Sequence, residues 1–328
     1  MSTSIRIGIL GYGNLGRGVE LAIEKNPDLR LAGVFSRRDP ALVHPLRADT
    51  RVYPVAALLP VRGDIDVLIL CGGSRQDLPV QSPQYAAHYH LVDSFDTHAR
   101  IPEHFAAVDE AARRGGHVAL IAAGWDPGLF SLQRVLAEAV LPNGQTHTFW
   151  GRGLSQGHSD AIRRVPGVAG AVQYTIPAEA AIASVRAGEQ PDLSPYDEHE
   201  RECFVVLQPG ADPEAVREAI VTMPDYFAPY RTRVHFISAQ QLACEHGAMP
   251  HGGCVIRTGT TSASARHRIE FQLQLDSNPE FTASVLVACA RAVHRLARAG
   301  ECGARTVFDL PVGLLSPYAP AQLRSAYL

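Results

Sequence analysis

Basic charge is not in excess in this chain: 30 Lys and Arg stand against 33 Asp and Glu, a net charge of -3, which removes the electrostatic footprint of a nucleic-acid binder. No apolar run reaches membrane-spanning length. The first strand pattern starts almost at once, without a charged and apolar leader, so a cytoplasmic protein with no membrane partner is expected. Six cysteines are scattered without paired spacing, which reads as reduced thiols and not as a disulfide framework. Low-complexity tracts and internal repeats are lacking as well. At 328 residues the chain exceeds the usual size of a single core, so two domains are expected.

What is present begins with residues 5–16, IRIGILGYGNLG, a β-branched apolar run that empties into a glycine-rich turn. Gly11 permits the tight turn, Gly13 lets the backbone approach a pyrophosphate without a Cβ, and Gly16 lets the next helix pack close to the sheet with its N-terminus facing the anion. An ordinary glycine-rich turn is the alternative, but RGVELAIEKN continues with helical spacing through Val19, Leu21, Ala22 and Ile23. The second strand pattern, LAGVFSRRDP, ends in Ser36, Arg37 and Arg38, where an NAD site would place an acidic residue for the ribose hydroxyls. Two guanidinium forks and a hydroxyl suit a ribose 2′-phosphate and therefore NADP. A solvated basic loop, with Asp39 close behind, is the competing reading.

Further apolar runs in DVLILC, HLVDSF and HVALIAAG alternate with the helical stretches QYAAHYH and PEHFAAVDEAARRGG. That alternation predicts an α/β fold, a Rossmann-type doubly wound parallel sheet buried on both faces. Its strands should end at one crevice, in the steps Gly11 to Gly16, Ser36 to Arg38, Cys71-Gly72-Gly73-Ser74, Asp93-Ser94-Phe95-Asp96 and Gly124-Trp125-Asp126-Pro127. Asp126-Pro127 reads as the N-cap and first residue of a helix through PGLFSLQRVLAEAVL that leads out of this domain. Residues 1–125 are thus assigned to the nucleotide domain and 126–278 to a second, mixed α/β domain with strands in THTFWG, VQYTIP, CFVVLQ, RVHFIS, CVIRTG and HRIEFQLQLD. Asn278-Pro279 opens a long helix stopped by Gly300, and the segment 279–328, with prolines at 311, 317 and 320, is expected to pack back on the first domain.

Two polar stretches stand out. Residues 149–167, FWGRGLSQGHSDAIRRVPG, show no clear period before Ser159 and suit a loop over a ligand, although a structural loop can carry the same residues. CEHGAMPHGGC, residues 244–254, offers Cys244, His246, His251 and Cys254, but the spacing fits no common zinc finger, and no metal is assigned. Hydride chemistry on a nicotinamide needs none. Asp96 and Asp126 fall at strand ends, where they could hold an ammonium group and help remove its protons, or could serve only as caps.

GYGNLGRG, FSRR, GWDPG, FWG.GLSQGHSDA.RR.PGV, TMPDYF, MPHGG and LD.NP.FTAS, spread over residues 5 to about 300, together resemble the NADP-dependent meso-diaminopimelate dehydrogenases. The resemblance implies a homodimer with an N-terminal NADP-binding domain and a second domain for substrate binding and dimerisation. It implies oxidative deamination of the D-centre of meso-2,6-diaminopimelate to L-2-amino-6-oxopimelate and ammonia, reversibly, in lysine and diaminopimelate biosynthesis. Carried over position by position, the cofactor contacts fall on Gly11, Tyr12, Gly13, Asn14, Leu15 and Gly16, on Ser36, Arg37 and Arg38, and on Cys71, Gly72, Gly73 and Ser74. Others fall on Ser94, Phe95 and Asp96, and on Ala123, Gly124, Trp125, Asp126 and Pro127. Substrate contacts fall on Asp96, Asp126, Trp150, Gln156, Gly157, Thr175, Arg201, His251 and Asn278.

In that assignment Asp96 and Asp126 are the catalytic pair at the D-centre ammonium, and Trp150 shapes the space around the reacting carbon. Gln156 and Gly157 take the nearby carboxylate. Thr175, Arg201, His251 and Asn278 grip the distal L-centre, with Arg201 as its bidentate anchor. Arg152 departs from the family, which commonly has proline there, and the tail after about residue 303 matches poorly. A related NADP-dependent dehydrogenase for other D-amino acids should alter the distal clamp. A non-catalytic NADP-binding sensor would not need both Asp96 and Asp126.

Overall fold

A computed structural model describes residues 4–224 and 226–328, so that Asp225 of the TMPDYF segment lies outside the described residues. The chain forms two compact units, one reaching to Leu132 and resuming at Pro279, the other Gln133–Asn278. The first opens with β1 (Ile5–Leu10), α1 (Asn14–Glu24), β2 (Leu29–Ser36), β3 (Val52–Pro54) and β4 (Val67–Leu70), then α2 (Leu78–Ala86), β5 (Leu91–Asp93), α3 (Ile101–Gly115) and β6 (Val118–Leu120). α4 (Leu129–Val140) carries the chain from one unit to the next, and the division falls inside this helix where the sequence reading set it at 125/126.

The second unit contains β7 (Gly144–Trp150), β8 (Gly153–Leu154), α5 (Gln156–Arg163), β9 (Val168–Pro177), α6 (Glu179–Arg186), α7 (Pro195–Glu198) and β10 (His199–Leu207). It continues with α8 (Pro213–Val221), β11 (Arg231–Phe236), α9 (Ala239–Glu245), β12 (His251–Thr260) and β13 (Arg266–Leu275). α10 (Asn278–Arg298), β14 (Gly303–Arg305) and α11 (Pro320–Tyr327) complete the chain.

The first unit is built on a seven-stranded sheet of order β14-β6-β5-β4-β1-β2-β3, parallel throughout. Strand order reverses on either side of β1, which makes the crevice beyond its carboxyl end the natural ligand position. Burial on both faces follows from the side-chain alternation: Val67 and Ile69 of β4 join one core while Leu68 and Leu70 join the other. α10 covers the first of these faces with Ala283, Leu286, Val287, Ala290 and Val293. Gly18 of α1 is needed there, since a Cβ would come within 2.9 Å of the Ala283 Cβ.

The C-terminal segment is held in this unit by β14, paired with β6, and by the buried Arg291. Its guanidinium donates to Asp28 at 2.5 and 2.8 Å, to Asn26 Oδ1 at 2.6 Å and to the Leu315 carbonyl at 2.8 Å.

Two local expectations are corrected. Asp126 is not the residue that precedes the helix: Trp125 and Gly128 close a turn around a cis Asp126–Pro127 peptide, and α4 starts only at Leu129. Gly128 sits at φ +133°, outside helical space, and a Cβ there would lie 1.8 Å from the Gly124 carbonyl oxygen. The 149–167 stretch is also more ordered than its sequence suggests. It contains β8 and then α5 from Gln156, because Ser155 caps the helix by accepting from the His158 N–H.

The second unit holds two sheets. The four-stranded one has order β11-β10-β9-β8, with β10 parallel to β11 and antiparallel to β9, and the three-stranded one, β13-β12-β7, is antiparallel. Among the described residues no helix is long and apolar enough to cross a membrane.

Candidate functional site

All five polar steps of the first unit follow the carboxyl ends of β1, β2, β4, β5 and β6. The Gly11 N–H donates to the Phe35 carbonyl and the Cys71 N–H to the Leu10 carbonyl, both at 2.8 Å, so the first three steps are stitched edge to edge. Gly11 adopts φ +96°, and a Cβ at Gly16 would lie 2.3 Å from the Gly11 oxygen, which ties the first turn of α1 down on the glycine loop. A Cβ at Gly13 would meet no atom within 4 Å, and no side chain caps α1 at Gly13. An open cradle ahead of uncapped helical N–H groups fits a pyrophosphate.

The basic pair is positioned by its neighbours. Arg38 Nη2 donates to the Tyr12 carbonyl at 2.6 Å, and its own N–H to Ser36 Oγ at 3.0 Å. Arg37 pairs with Asp77 Oδ1 at 2.8 Å, while Asp77 Oδ2 accepts from the Gly73 N–H at 2.9 Å. Tyr12 in turn donates its hydroxyl to Glu20, a buried carboxylate that also accepts from Thr50 and from the Leu46 N–H. Burial and that carboxylate push the Tyr12 hydroxyl up to about 12. Tyr12, Phe95, Ala123 and Trp125 are buried. Asp96 is exposed and its N–H donates to Ser74 Oγ at 2.8 Å, whereas Asp126 is half-buried in the 125–128 turn. Asp93, which the sequence placed with the crevice-lining steps, instead turns its side chain into the core and is fully buried.

In the second unit Arg201 of β10 lies directly opposite Thr175 of β9, and its Nη1 donates to Thr175 Oγ1 at 2.8 Å. The guanidinium lies 3.7 Å from the centre of the Tyr230 ring. Arg201 is only 6% exposed, and among the described residues no carboxylate reaches it and its Nε has no hydrogen-bond partner. Burial lowers its pKa from the ordinary arginine value. Gly153 faces Thr175 on the other side of β9, and a Cβ there would run into the His251 ring at 2.4 Å. Gln156 Nε2 and the Asn278 N–H both reach Met249, at Sδ (3.1 Å) and the carbonyl (2.9 Å). Gly157, next in the first turn of α5, is exposed.

Trp150, paired with Gly253 of β12, donates its N–H to His199 Nε2 at 2.8 Å, and the two rings stack at 5.3 Å. Burial and the nearby Arg201 charge lower His199 to about 4, so it accepts as a neutral imidazole. Cys244, His246, His251 and Cys254 are not gathered: His246 stacks on Phe204 at 4.1 Å and Cys244 is exposed. Among the described residues no group of three or more His, Cys, Asp or Glu could hold a metal ion.

Residues 124–277 match the family model described as the diaminopimelic acid dehydrogenase C-terminal domain. The chain is 58% identical over 326 residues to the meso-diaminopimelate D-dehydrogenase of Lysinibacillus sphaericus, covering 99% of this chain and 100% of that one. This chain belongs to the meso-diaminopimelate D-dehydrogenase family.

Solved structures agree. The Corynebacterium glutamicum DAP dehydrogenase in complex with DAP superposes with a TM-score of 0.93 at 49% identity, over 99% of this chain and 100% of that one. An engineered D-amino acid dehydrogenase bound to NADP+ gives 0.88 at 47% identity, with coverage of 99% and 100%.

Arg152 Nη2 pairs with Glu202 at 2.9 Å. Sequence reasoning missed His199, Tyr230, Asp77 and Glu20. Only Glu20 left a trace, as a charged residue on the apolar face of α1.

Proposed function

We propose that this protein catalyses the NADP-dependent oxidation of the D-centre of meso-2,6-diaminopimelate: substrate, NADP+ and water give L-2-amino-6-oxopimelate, ammonium, NADPH and a proton. The observation that carries this reading is the buried Arg201 guanidinium, with a hydroxyl and an aromatic face for company and no carboxylate among the described residues. A buried cation without a counter-ion calls for an anionic ligand group. In a member of this family that group is the distal carboxylate of the substrate. Thr175, His251 and Asn278 complete the distal clamp.

The nucleotide half would be held by the Gly11–Gly16 turn, Ser36 to Arg38, Cys71 to Ser74, Ser94 to Asp96 and Ala123 to Pro127, with Arg37 and Arg38 on the 2′-phosphate. When bound, NADP supplies the hydride acceptor. Asp96 and Asp126 hold the D-centre ammonium and take up the proton it must lose before its carbon can be oxidised. Trp150, fixed through His199, limits the space beside that carbon, and the Gln156 amide with the Gly157 N–H holds the adjacent carboxylate. Pinning both ends of the diacid leaves one α-hydrogen available for transfer.

The unit that reaches to Leu132 and resumes at Pro279 serves as the NADP domain, and Gln133–Asn278 as the substrate and dimerisation domain of a cytoplasmic homodimer. Reduced-nicotinamide absorbance tests the reading directly. NADP with meso-diaminopimelate should give turnover, NAD or the LL isomer should not, and turnover of the LL isomer would refute the stereochemical assignment.

A further inference from the structure

We propose that Asp93 and His104 form a positioning pair that sets the placement of Asp96 relative to Asp126; the inference rests on the proposed role of those two carboxylates. Asp93 ends β5 with its side chain fully buried, and it sits between scaffold and loops with its two oxygens divided. Oδ2 is held by the scaffold: it accepts from Ser82 Oγ of α2 at 2.5 Å and from His104 Nε2 of α3 at 2.8 Å. Oδ1 holds the loops. It accepts from the Phe95 N–H at 3.1 Å, one residue before Asp96, and from the Ala122 N–H at 2.9 Å, in the segment that leads to Asp126. The Asp93 carbonyl adds a third tether by accepting from the Ala123 N–H at 3.0 Å.

Four donors match the acceptor capacity of one carboxylate, so every bond of the junction is specified. Ala122 shows why a strong acceptor is required. It is a non-glycine residue at φ +53°, in the left-handed region, and its N–H donates to Oδ1. His104 fixes the other side twice, through its Nε2 and by stacking on the Phe95 ring with centroids 4.1 Å apart and planes 17° from parallel. The pair touches neither the proposed substrate groups nor the proposed proton acceptors. Its effect is on their separation, and displacements of about 1 Å between reacting groups cost up to about a hundredfold in rate.

His104→Phe keeps the stack and removes the donor, whereas His104→Gln keeps a donor and removes the stack. In the full-length enzyme, His104→Phe is expected to lower kcat by about tenfold to a hundredfold. His104→Gln should remain within about threefold of wild type. Hydrogen exchange by mass spectrometry supplies a readout that does not need turnover. Amides of residues 94–96 and 121–126 should exchange faster together in His104→Phe, with the strands of the sheet unaffected, and His104→Gln should protect both. Asp93→Asn, which must present a donor where all four partners donate, should show the same paired loss.

Wild-type kcat in His104→Phe, exchange that rises in only one segment or throughout the unit, or a glutamine variant as impaired as phenylalanine would each overturn the proposal. Absence of wild-type turnover with meso-diaminopimelate would count against the proposed function alone, and the exchange pattern would still decide the positioning role.

Discussion

Asp93 and Arg201 are both buried charges on inner strands of their sheets, and they are treated in opposite ways. Asp93 accepts four hydrogen bonds and pairs with His104, while Arg201 makes one hydrogen bond, lies over one ring and has no carboxylate among the described residues. A satisfied buried charge holds chain segments in place, and removing it strands its partners. An unsatisfied one is destabilising in the free protein and becomes useful only when a ligand brings the counter-charge.

The sharpest way to break this contrast is stability measured on matched variants. Asp93→Ala should lower unfolding free energy by about 3 to 5 kcal/mol, as expected when one partner of a buried pair is removed. Arg201→Met should leave the melting temperature unchanged or raise it. A large stability loss in Arg201→Met would mean that Arg201 is structural after all. The same variant should raise KM for meso-diaminopimelate by about a hundredfold, the lower part of the range for stranding a buried carboxylate, with NADP affinity unchanged in a fluorescence titration.

Arg37 tests an exposed charge against these two. It is 68% exposed along its side chain and already paired with Asp77. Arg37→Ala should weaken NADPH by about tenfold to a hundredfold, since each charge-assisted bond contributes about 1.5 to 3 kcal/mol, and should leave NADH nearly untouched. Equal losses for both nucleotides would remove the 2′-phosphate assignment.

The smallest effect concerns pH. Burial and the Arg201 charge depress His199 in the folded protein to about 4, against an ordinary value of 6.5. Between those values the unfolded chain takes up a proton that the folded one refuses, so stability is complete above about pH 6.5 and is lost as the pH falls toward about 4. His199→Gln should remove about 1 to 2 kcal/mol of the stability difference between pH 7 and 5. His90 and His158, lowered to about 4 chiefly by burial, keep the remaining slope. An unaltered pH profile in denaturant melts would show that His199 is not held neutral.

These contrasts also mark what the sequence could and could not reveal. The glycine turn, the long apolar strands and the polar steps at their ends were legible because strand burial on two faces writes itself as continuous hydrophobic runs. β3 and β14 were not, since VYP and GAR lie in no continuous apolar run, whereas the equally short β5 and β6 lie within HLVDSF and HVALIAAG. Asp126 looked like an N-cap by its chemistry, but the left-handed geometry of Gly128 delays the helix, and φ is not written in a residue name. Ser155 could have announced α5, as a hydroxyl ahead of a polar turn. The candidate site followed mainly from family motifs. Tyr230 and His199 carry no motif, because a ring over a guanidinium and a neutral imidazole under a tryptophan are made by tertiary contact alone.

Removing the distal carboxylate of meso-diaminopimelate gives D-lysine, and a cycle of wild type and Arg201→Met against these two substrates isolates the contact between the buried guanidinium and that group. In the wild type kcat/KM should favour meso-diaminopimelate by about a hundredfold or more, and in Arg201→Met the preference should collapse toward unity. A preference that survives the substitution would contradict the claim that the buried Arg201 guanidinium is the receptor for the substrate's far end.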